Sequence, residues 1–189
     1  MVLYWYDIRD LAEETEKEVL RTLDAADRKR ISELVLPEEK ERSVAAVLLS
    51  RRALAEQSGQ PESAIHLSWD EEGKPCAAGT ELCFSVSHSG PYVVCAVAEK
   101  PIGVDIEPLR RISPKMMRRS CTEEELGYIR IGDSGADRRF LEVWTAKEAL
   151  FKLTGRGPLL SLSFRHPPEN AVVEFTVSHD CAVTAAYFT

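Results

Sequence analysis

The hydrophobic pattern of the chain alternates between short apolar runs and longer stretches in which apolar residues recur every three or four positions. The short runs predict strands at 2–7, 65–69, 82–86, 92–98, 102–107, 160–164, 171–178 and 182–188. The periodic stretches predict helices at 11–23 and 37–56, and a third that runs from Phe140 and closes at 155–157. Because only three residues separate the strands 92–98 and 102–107, we expect these two strands to form a hairpin. The pattern by itself indicates an α+β fold.

The acidic strand at 103–107 is the first candidate for chemistry. Side chains alternate faces along a strand, so Asp105 and Glu107 share one face, about 7 Å apart along the chain. Carboxylates that close together resist joint ionisation unless a cation lies between them or water covers the face. The strand is therefore either part of a metal site or a solvated sheet edge.

The helix that starts at Phe140 carries charge on its apolar side. At about 100° per residue, one stripe holds three aromatic residues and a lysine, with a glutamate beside it: Phe140, Trp144, Phe151, Lys147 and Glu148. This arrangement directs Lys147 and Glu148 toward the interior, where a charge without a partner is costly. Both side chains therefore need partners inside the protein.

A divalent cation would provide one such partner. Its predicted ligands are three carboxylates: Asp105, Glu107 and Glu148. Oxygen ligands of this kind suit Mg²⁺, and Lys147 and Lys152 would then face an anionic ligand. The alternative for Glu148 and Lys152 is an ordinary surface ion pair one helical turn apart.

Composition and charge narrow the function classes. With 24 Lys and Arg against 31 Asp and Glu, the net charge of −7 argues against wholesale nucleic-acid binding. The five cysteines are widely spaced without a C-x-x-C pair, which predicts free, small core residues in a reducing compartment. The sequence has neither an apolar leader nor an apolar run long enough to span a bilayer, so we expect a cytoplasmic protein with no membrane contact.

Three further segments carry weaker signals. Ser87-His88-Ser89-Gly90 follows a strand and predicts a loop whose N–H groups and imidazole suit phosphate oxygens, although such loops are more often plain turns. Gly73-Lys74-Pro75 presents a lysine on a turn. Residues 109–119 hold five positive charges and two methionines, with Ser113 as a helix N-cap. This stretch is either a docking surface for an acidic protein or a solvated basic helix.

Four of these segments together resemble the Sfp-type 4′-phosphopantetheinyl transferases. The family's signatures are a Gly-Lys-Pro turn, a Ser-His-Ser loop, a G-(I/V)-D-(I/V)-E strand and a W-x-x-K-E-(A/S)-x-x-K helix. They stand here in that order at 73–75, 87–89, 103–107 and 144–152. The resemblance implies two similar α/β lobes, residues 1–100 and 101–189, with the active site in the cleft between them.

The resemblance also implies an activity. Members of the family move the phosphopantetheine arm of coenzyme A to a serine hydroxyl of an apo acyl or peptidyl carrier protein, with Mg²⁺, and release 3′,5′-ADP. The implied partners are coenzyme A and the carrier protein. Two lobes in one chain would make a monomer sufficient.

Carried over residue by residue, the resemblance implies metal ligands at Asp105, Glu107 and Glu148, and catalytic roles for Glu148 and Lys152. Cofactor contacts fall on seven basic residues: Lys74, His88, Lys147, Lys152, Arg42, Arg51 and Arg30. Glu125 lies near a family glutamate with a catalytic or metal-shell role, but the segment from Thr122 to Glu125 also fits a helix capping box.

Two other functions stay open. The first is a binding module that keeps the fold and holds coenzyme A or a carrier protein without transfer. The second is a Mg²⁺-dependent nucleotide phosphohydrolase that uses the same acids and releases its product without a carrier protein.

Overall fold

The computed structural model describes residues 1–23, 25–70, 73–132, 134–155, 159–163 and 165–189. It divides the chain into two compact units, Met1–Glu99 and Lys100–Thr189. Each unit combines helices with antiparallel sheet, which confirms the predicted mixture of helix and sheet. No helix in these described ranges is long and apolar enough to cross a membrane.

The first unit contains a three-stranded antiparallel sheet and a separate two-stranded β-hairpin. Its helices are α1 (Glu13–Thr22), α2 (Ala25–Ser32) and α3 (Pro37–Ser58), with short 3₁₀ turns at Ile8–Asp10 and Glu62–Ala64. Its strands are β1 (Val2–Asp7), β2 (His66–Trp69), β3 (Pro75–Ala78), β4 (Cys83–Ser89) and β5 (Tyr92–Ala98). The sheet has the order β1-β5-β4, and β2 pairs with β3.

Helix α3 provides the largest part of this unit's core. Proline at its first turn suits the helix start, and Gly59 ends it in the left-handed conformation that glycine adopts without strain. The apolar stripe predicted for this helix is buried, including Val44, Val47 and Leu54. It packs in one cluster with Phe84 of β4 and alternate residues of β5.

The second unit repeats this plan: in both three-stranded sheets the first strand of the unit pairs with the last, and the last pairs with the strand before it. Its helices are α4 (Pro114–Ser120), α5 (Glu123–Ile129) and α6 (Ala136–Thr154), followed by a 3₁₀ turn at Leu159–Ser161. Its strands are β6 (Ile102–Pro108), β7 (Ala171–Ser178) and β8 (Cys181–Phe188), in the order β6-β8-β7. Helix α6 lies along β6 and β8.

Several predictions from the sequence are wrong. The strands β5 and β6 do not form a hairpin: β5 pairs with β1 and β4, whereas β6 pairs with β8. Residues 87–89 belong to β4 rather than to a loop, and the turn begins at Gly90. The expected strand at 160–164 is a 3₁₀ turn at Leu159–Ser161, and residue 164 lies outside the described ranges.

Helix α6, predicted to run from Phe140, also differs from its prediction in the residues that it buries and in its C-terminal end. Phe151 is 41% exposed, and the buried face of α6 runs through Leu150 and Leu153 instead. Gly155 is the C-cap, and residues 156 and 157 of the predicted helix end lie outside the described ranges.

All five cysteines are free, as predicted. Cys95 and Cys181 are core residues, but Cys76 is exposed and the other two are half-buried.

The contact between β6 and α6 depends on Gly103. A Cβ at this position would lie 2.6 Å from the backbone nitrogen of Leu153 and still closer to the carbonyl oxygen of Ala149. Both atoms belong to the backbone of α6, which cannot move aside as a flexible side chain can. Glycine therefore allows the helix to rest directly on the strand.

We predict that Gly103→Ala destabilises the protein by at least about 3 kcal/mol, the upper end of what overpacking costs, because the clash is with backbone. The measurement is urea denaturation followed by circular dichroism. Gly127→Ala in α5 is the matched control, since a Cβ there has no atom within 4 Å. It should be neutral or gain about 0.5–1 kcal/mol from helix propensity. A Gly103→Ala protein as stable as the parent would contradict the packing argument.

Candidate functional site

The acidic residues of β6 face helix α6. Gly103, Asp105 and Glu107 lie on one side of the strand, since side chains alternate, and α6 touches that side at Gly103. Ile102, Val104 and Ile106 point the other way and are buried. The predicted alternation is therefore confirmed, and the helix that covers the acids is the one that carries Glu148 and Lys152.

Lys152 is bound to the strand rather than directed into solvent. Its ammonium Nζ donates to Asp105 Oδ1 at 2.8 Å and to the carbonyl oxygen of Val104 at 3.0 Å. Asp105 is buried, with 9% of its side chain exposed, whereas 29% of the Lys152 side chain is exposed. The pair therefore places one positive charge beside the buried acid and leaves Lys152 partly accessible.

Glu148 lies in the same electrostatic field. Burial raises the pKa of its carboxyl, and the charges of Asp105 and Glu107 raise it further, while the Lys152 ammonium opposes them. Glu107 is also within 3.7 Å of the guanidinium of Arg110. The three predicted metal ligands are thus close enough to repel one another.

These acids are not drawn together around one point. Among the residues described here, no three carboxylate, imidazole or thiolate groups are gathered closely enough to hold a metal ion as they stand. The chemistry of the donors, oxygen from three carboxylates, fits Mg²⁺, and their mutual repulsion is the condition that a cation relieves. Mg²⁺ binding stays a prediction.

Lys147 points away from these acids into a separate ion pair. Its Nζ lies 2.7 Å from Glu125 Oε2 and donates to the carbonyl oxygen of Ser120 at 3.2 Å. The exposed fractions of the two side chains are 0% for Lys147 and 1% for Glu125. The structure thus supplies the interior partner that the sequence required for Lys147. A direct contact of Lys147 with a ligand stays a prediction.

Glu125 has two structural roles at once. It completes the capping box of α5, where Oε2 accepts from the backbone nitrogen of Thr122 at 2.8 Å, and it pairs with Lys147. Its second oxygen, Oε1, is buried without a hydrogen-bond partner among the residues that the structure describes. The capping prediction is confirmed, but no local pattern indicates that Glu125 is the counter-charge of Lys147.

We predict that Lys147→Met lowers the free energy of unfolding by about 3–5 kcal/mol, because it leaves a buried carboxylate without its counter-charge. Urea denaturation is the measurement. Adding Glu125→Gln to Lys147→Met removes the stranded charge while an amide oxygen still caps Thr122, so the double variant should recover most of the loss. A double variant no more stable than Lys147→Met would show that the charge pair is not the cause.

A basic groove lies in the first unit. Its lining comes from α2, α3 and the end of β4, and consists of Arg30, Leu34, Glu39, Arg42, Ser43, His88, Ser89 and Gly90. Arg42 is held there by the carbonyl oxygen of Gly90 at 3.3 Å and by Glu38 at 3.5 Å. The groove thus brings together three of the predicted cofactor residues, Arg30, Arg42 and His88.

Two other predicted basic residues lie outside the groove lining. Arg51 is nine residues beyond Arg42 on α3, which places it on the opposite side of the helix and about 13 Å further along. Its guanidinium donates to Thr22 Oγ1 at 2.9 Å, and burial lowers its pKa. Lys74 is exposed on the turn after β2, where its backbone nitrogen donates to Asp70 Oδ1 at 2.8 Å.

Residues 28–30, the basic run Arg-Lys-Arg, also differ from one another in their contacts. Arg28 donates to the carbonyl oxygens of Leu20 and Leu23, at 3.0 and 2.8 Å, and so binds the end of α1. Lys29 lies 3.7 Å from Glu33 on the surface of α2. Of the three residues, Arg30 is the one that lines the groove.

Helix α4 carries the basic stretch of the second unit. Ser113 caps it as predicted, accepting from the backbone nitrogen of Met116 at 3.2 Å. Lys115, Arg118 and Arg119 are exposed, but Met116 and Met117 pack against the core cluster of α5 and α6. The predicted Met-rich surface is therefore largely turned inward, and docking of an acidic protein on α4 stays a prediction.

Comparison with known proteins covers nearly the whole chain. Residues 12–100 match the family described as "4′-phosphopantetheinyl transferase, N-terminal", and residues 101–188 match the "4′-phosphopantetheinyl transferase superfamily". The chain is 29% identical over 188 residues to 4′-phosphopantetheinyl transferase Sfp of Bacillus subtilis, which covers 96% of this chain and 84% of that protein.

Two further relatives have the same description. 4′-Phosphopantetheinyl transferase ffp of Bacillus subtilis is 30% identical over 182 residues, with 92% of this chain and 80% of the relative covered. 4′-Phosphopantetheinyl transferase HetI of Nostoc sp. is 29% identical over 161 residues, with 81% of this chain and 68% of the relative covered. The similarity therefore extends through both units.

Proposed function

Because the chain belongs to the 4′-phosphopantetheinyl transferase family, we propose that it moves the phosphopantetheine arm of coenzyme A to a serine hydroxyl of an apo carrier protein. The observation that carries the proposal is the acidic face of β6, covered by a helix that brings Glu148 and Lys152 to it. The acceptor would be an acyl or peptidyl carrier protein, and the second product would be 3′,5′-ADP.

The proposed metal ligands are Asp105, Glu107 and Glu148. Three carboxylates in mutual repulsion suit a hard divalent cation such as Mg²⁺. When bound, the ion would neutralise charge on the pyrophosphate of coenzyme A. Lys152 already compensates Asp105, and the same ammonium would stabilise charge on the transferring phosphoryl group.

Glu148 is the proposed general base. Its carboxylate lies on the side of α6 that meets Asp105 and Glu107, so a base here would act beside the proposed metal ligands. It would take the proton of the serine hydroxyl, whose oxygen then attacks the phosphorus that bears the pantetheine arm. The new bond is serine O–P, the bond that breaks joins this phosphorus to the bridging oxygen of the pyrophosphate, and 3′,5′-ADP leaves with that oxygen.

The basic groove of the first unit is the proposed site for the 3′-phosphate of coenzyme A. Arg30, Arg42 and His88 offer guanidinium and imidazole donors, which suit a phosphate monoester. Arg42 has only 15% of its side chain exposed and already has two protein contacts, so it is held in place before a ligand arrives.

We predict that Glu148→Gln lowers the rate of carrier modification by at least about a hundredfold, since it removes a base and a metal ligand together. The measurement is intact mass spectrometry of apo carrier proteins incubated with enzyme, coenzyme A and Mg²⁺. A gain of one phosphopantetheine should appear with the parent protein and be absent with the variant or with a chelator.

The matched control for this experiment is Glu169→Gln, the same chemical change at an exposed acid in the turn before β7. It should leave the rate unchanged. Full transfer by Glu148→Gln would refute the role of Glu148. If the parent modified no carrier protein but released phosphate from nucleotides, the proposal would give way to a phosphohydrolase.

For the groove, we predict that Arg42→Ala raises KM for coenzyme A by about tenfold or more while KM for 3′-dephospho-coenzyme A stays the same, because only the former has the phosphate to lose. Steady-state kinetics with both substrates is the measurement. Arg52→Ala is the control, since this exposed residue of α3 pairs with Glu62 instead of lining the groove. Equal losses on both substrates would place the 3′-phosphate elsewhere.

A further inference from the structure

Arg30 is in contact with an aromatic ring that no sequence motif connects with the groove. Its guanidinium carbon lies 4.3 Å from the centroid of the Trp69 ring, which belongs to β2, on a different element of the first unit. This distance places the cation against the ring face, where the electrostatic attraction between a guanidinium and an indole is strong.

The remaining contacts of Arg30 do not fix its position. Its ion pair with Asp27 is long, with Nε 3.9 Å from Oδ1, and 46% of the Arg30 side chain is exposed. Within the described residues no protein acceptor takes a hydrogen bond from its guanidinium. A cation–π contact uses no hydrogen-bond acceptor, so the N–H donors of this guanidinium can still bind a phosphate.

The Trp69 ring is itself well anchored. It is half-buried against the core cluster of the first unit, and its backbone pairs with Pro75 in the β2–β3 hairpin. A long, flexible arginine at the margin of a groove would lose much rotational freedom when it binds an anion. A fixed ring that already holds the guanidinium removes part of that loss before binding.

We propose that Trp69 is a positioning residue for nucleotide binding, which holds Arg30 toward the groove so that its guanidinium meets a phosphate monoester such as a 3′-phosphate. The inference rests on the proposed function, since it takes the groove as the 3′-phosphate site. Trp69 lies outside the groove lining. The preference for a nucleotide with a 3′-phosphate over one without it would then depend on an aromatic ring.

The test is isothermal titration calorimetry with 3′,5′-ADP and 5′-AMP, two nucleotides that differ only in the 3′-phosphate. Arg30→Ala should weaken 3′,5′-ADP about tenfold or more and leave 5′-AMP unchanged. Trp69→Leu, which keeps apolar volume but has no ring, should weaken 3′,5′-ADP by about three- to tenfold, again without an effect on 5′-AMP.

Two further variants separate positioning from folding. Trp69→Phe retains a ring and should keep most of the affinity for 3′,5′-ADP. In an Arg30→Ala background, Trp69→Leu should have no additional effect, because the ring then has no guanidinium to hold. Equal losses on both nucleotides, or a further loss in the Arg30→Ala background, would overturn the inference and assign Trp69 to the core alone.

The outcome also distinguishes this inference from the proposal beneath it. If Arg30→Ala lowers affinity for 3′,5′-ADP but Trp69→Leu does not, the groove assignment stands and the positioning role falls. If Arg30→Ala affects neither nucleotide, the groove is not the 3′-phosphate site, and both fail together.

Discussion

The direct contact of helix α6 with strand β6 at Gly103 is the constraint on which the acidic site depends. The missing side chain lies on the same face of the strand as Asp105 and Glu107, so the helix is drawn onto the acids. Along the helix, Glu148 directly precedes the contact at Ala149, and Lys152 directly precedes the contact at Leu153. Any larger residue at 103 would raise α6 from the sheet and increase the distance between Lys152 and Asp105.

Helix α6 serves two different sets of partners with two adjacent residues. Successive side chains on a helix point about 100° apart, so Lys147 reaches the core between α5 and α6, whereas Glu148 reaches the face of β6. The first direction ends in a fully buried pair with Glu125, and the second at the carboxylates of Asp105 and Glu107 and the ammonium of Lys152. The buried ion pair and the acidic face of β6 are thus served by consecutive residues of one helix.

Features fixed by local sequence were predictable, and features fixed by distant contacts were not. The strand β1, the helix α3, the alternation of β6 and the capping box of α5 follow from residues within a few positions of one another. The pairing of β6 with β8 joins segments about eighty residues apart, and short separation along the chain suggested a hairpin with β5 instead. The ion pair of Lys147 with Glu125 and the stack of Arg30 on Trp69 are likewise invisible in the local pattern.

The basic residues of the first unit illustrate why a charge in the sequence does not specify its use. Arg28, Arg42 and Arg51 are chemically identical, yet one caps the end of α1, one lines the groove and one reaches Thr22 on the far side of α3. What separates them is the angle at which each leaves its helix and the acceptor within its reach. In a chain of net charge −7, the groove brings two arginines together, and Glu38 and Glu39 lie beside them and offset part of their charge. Under the proposed function, selectivity of this groove for a phosphate would then come from the placement of its arginines rather than from their number.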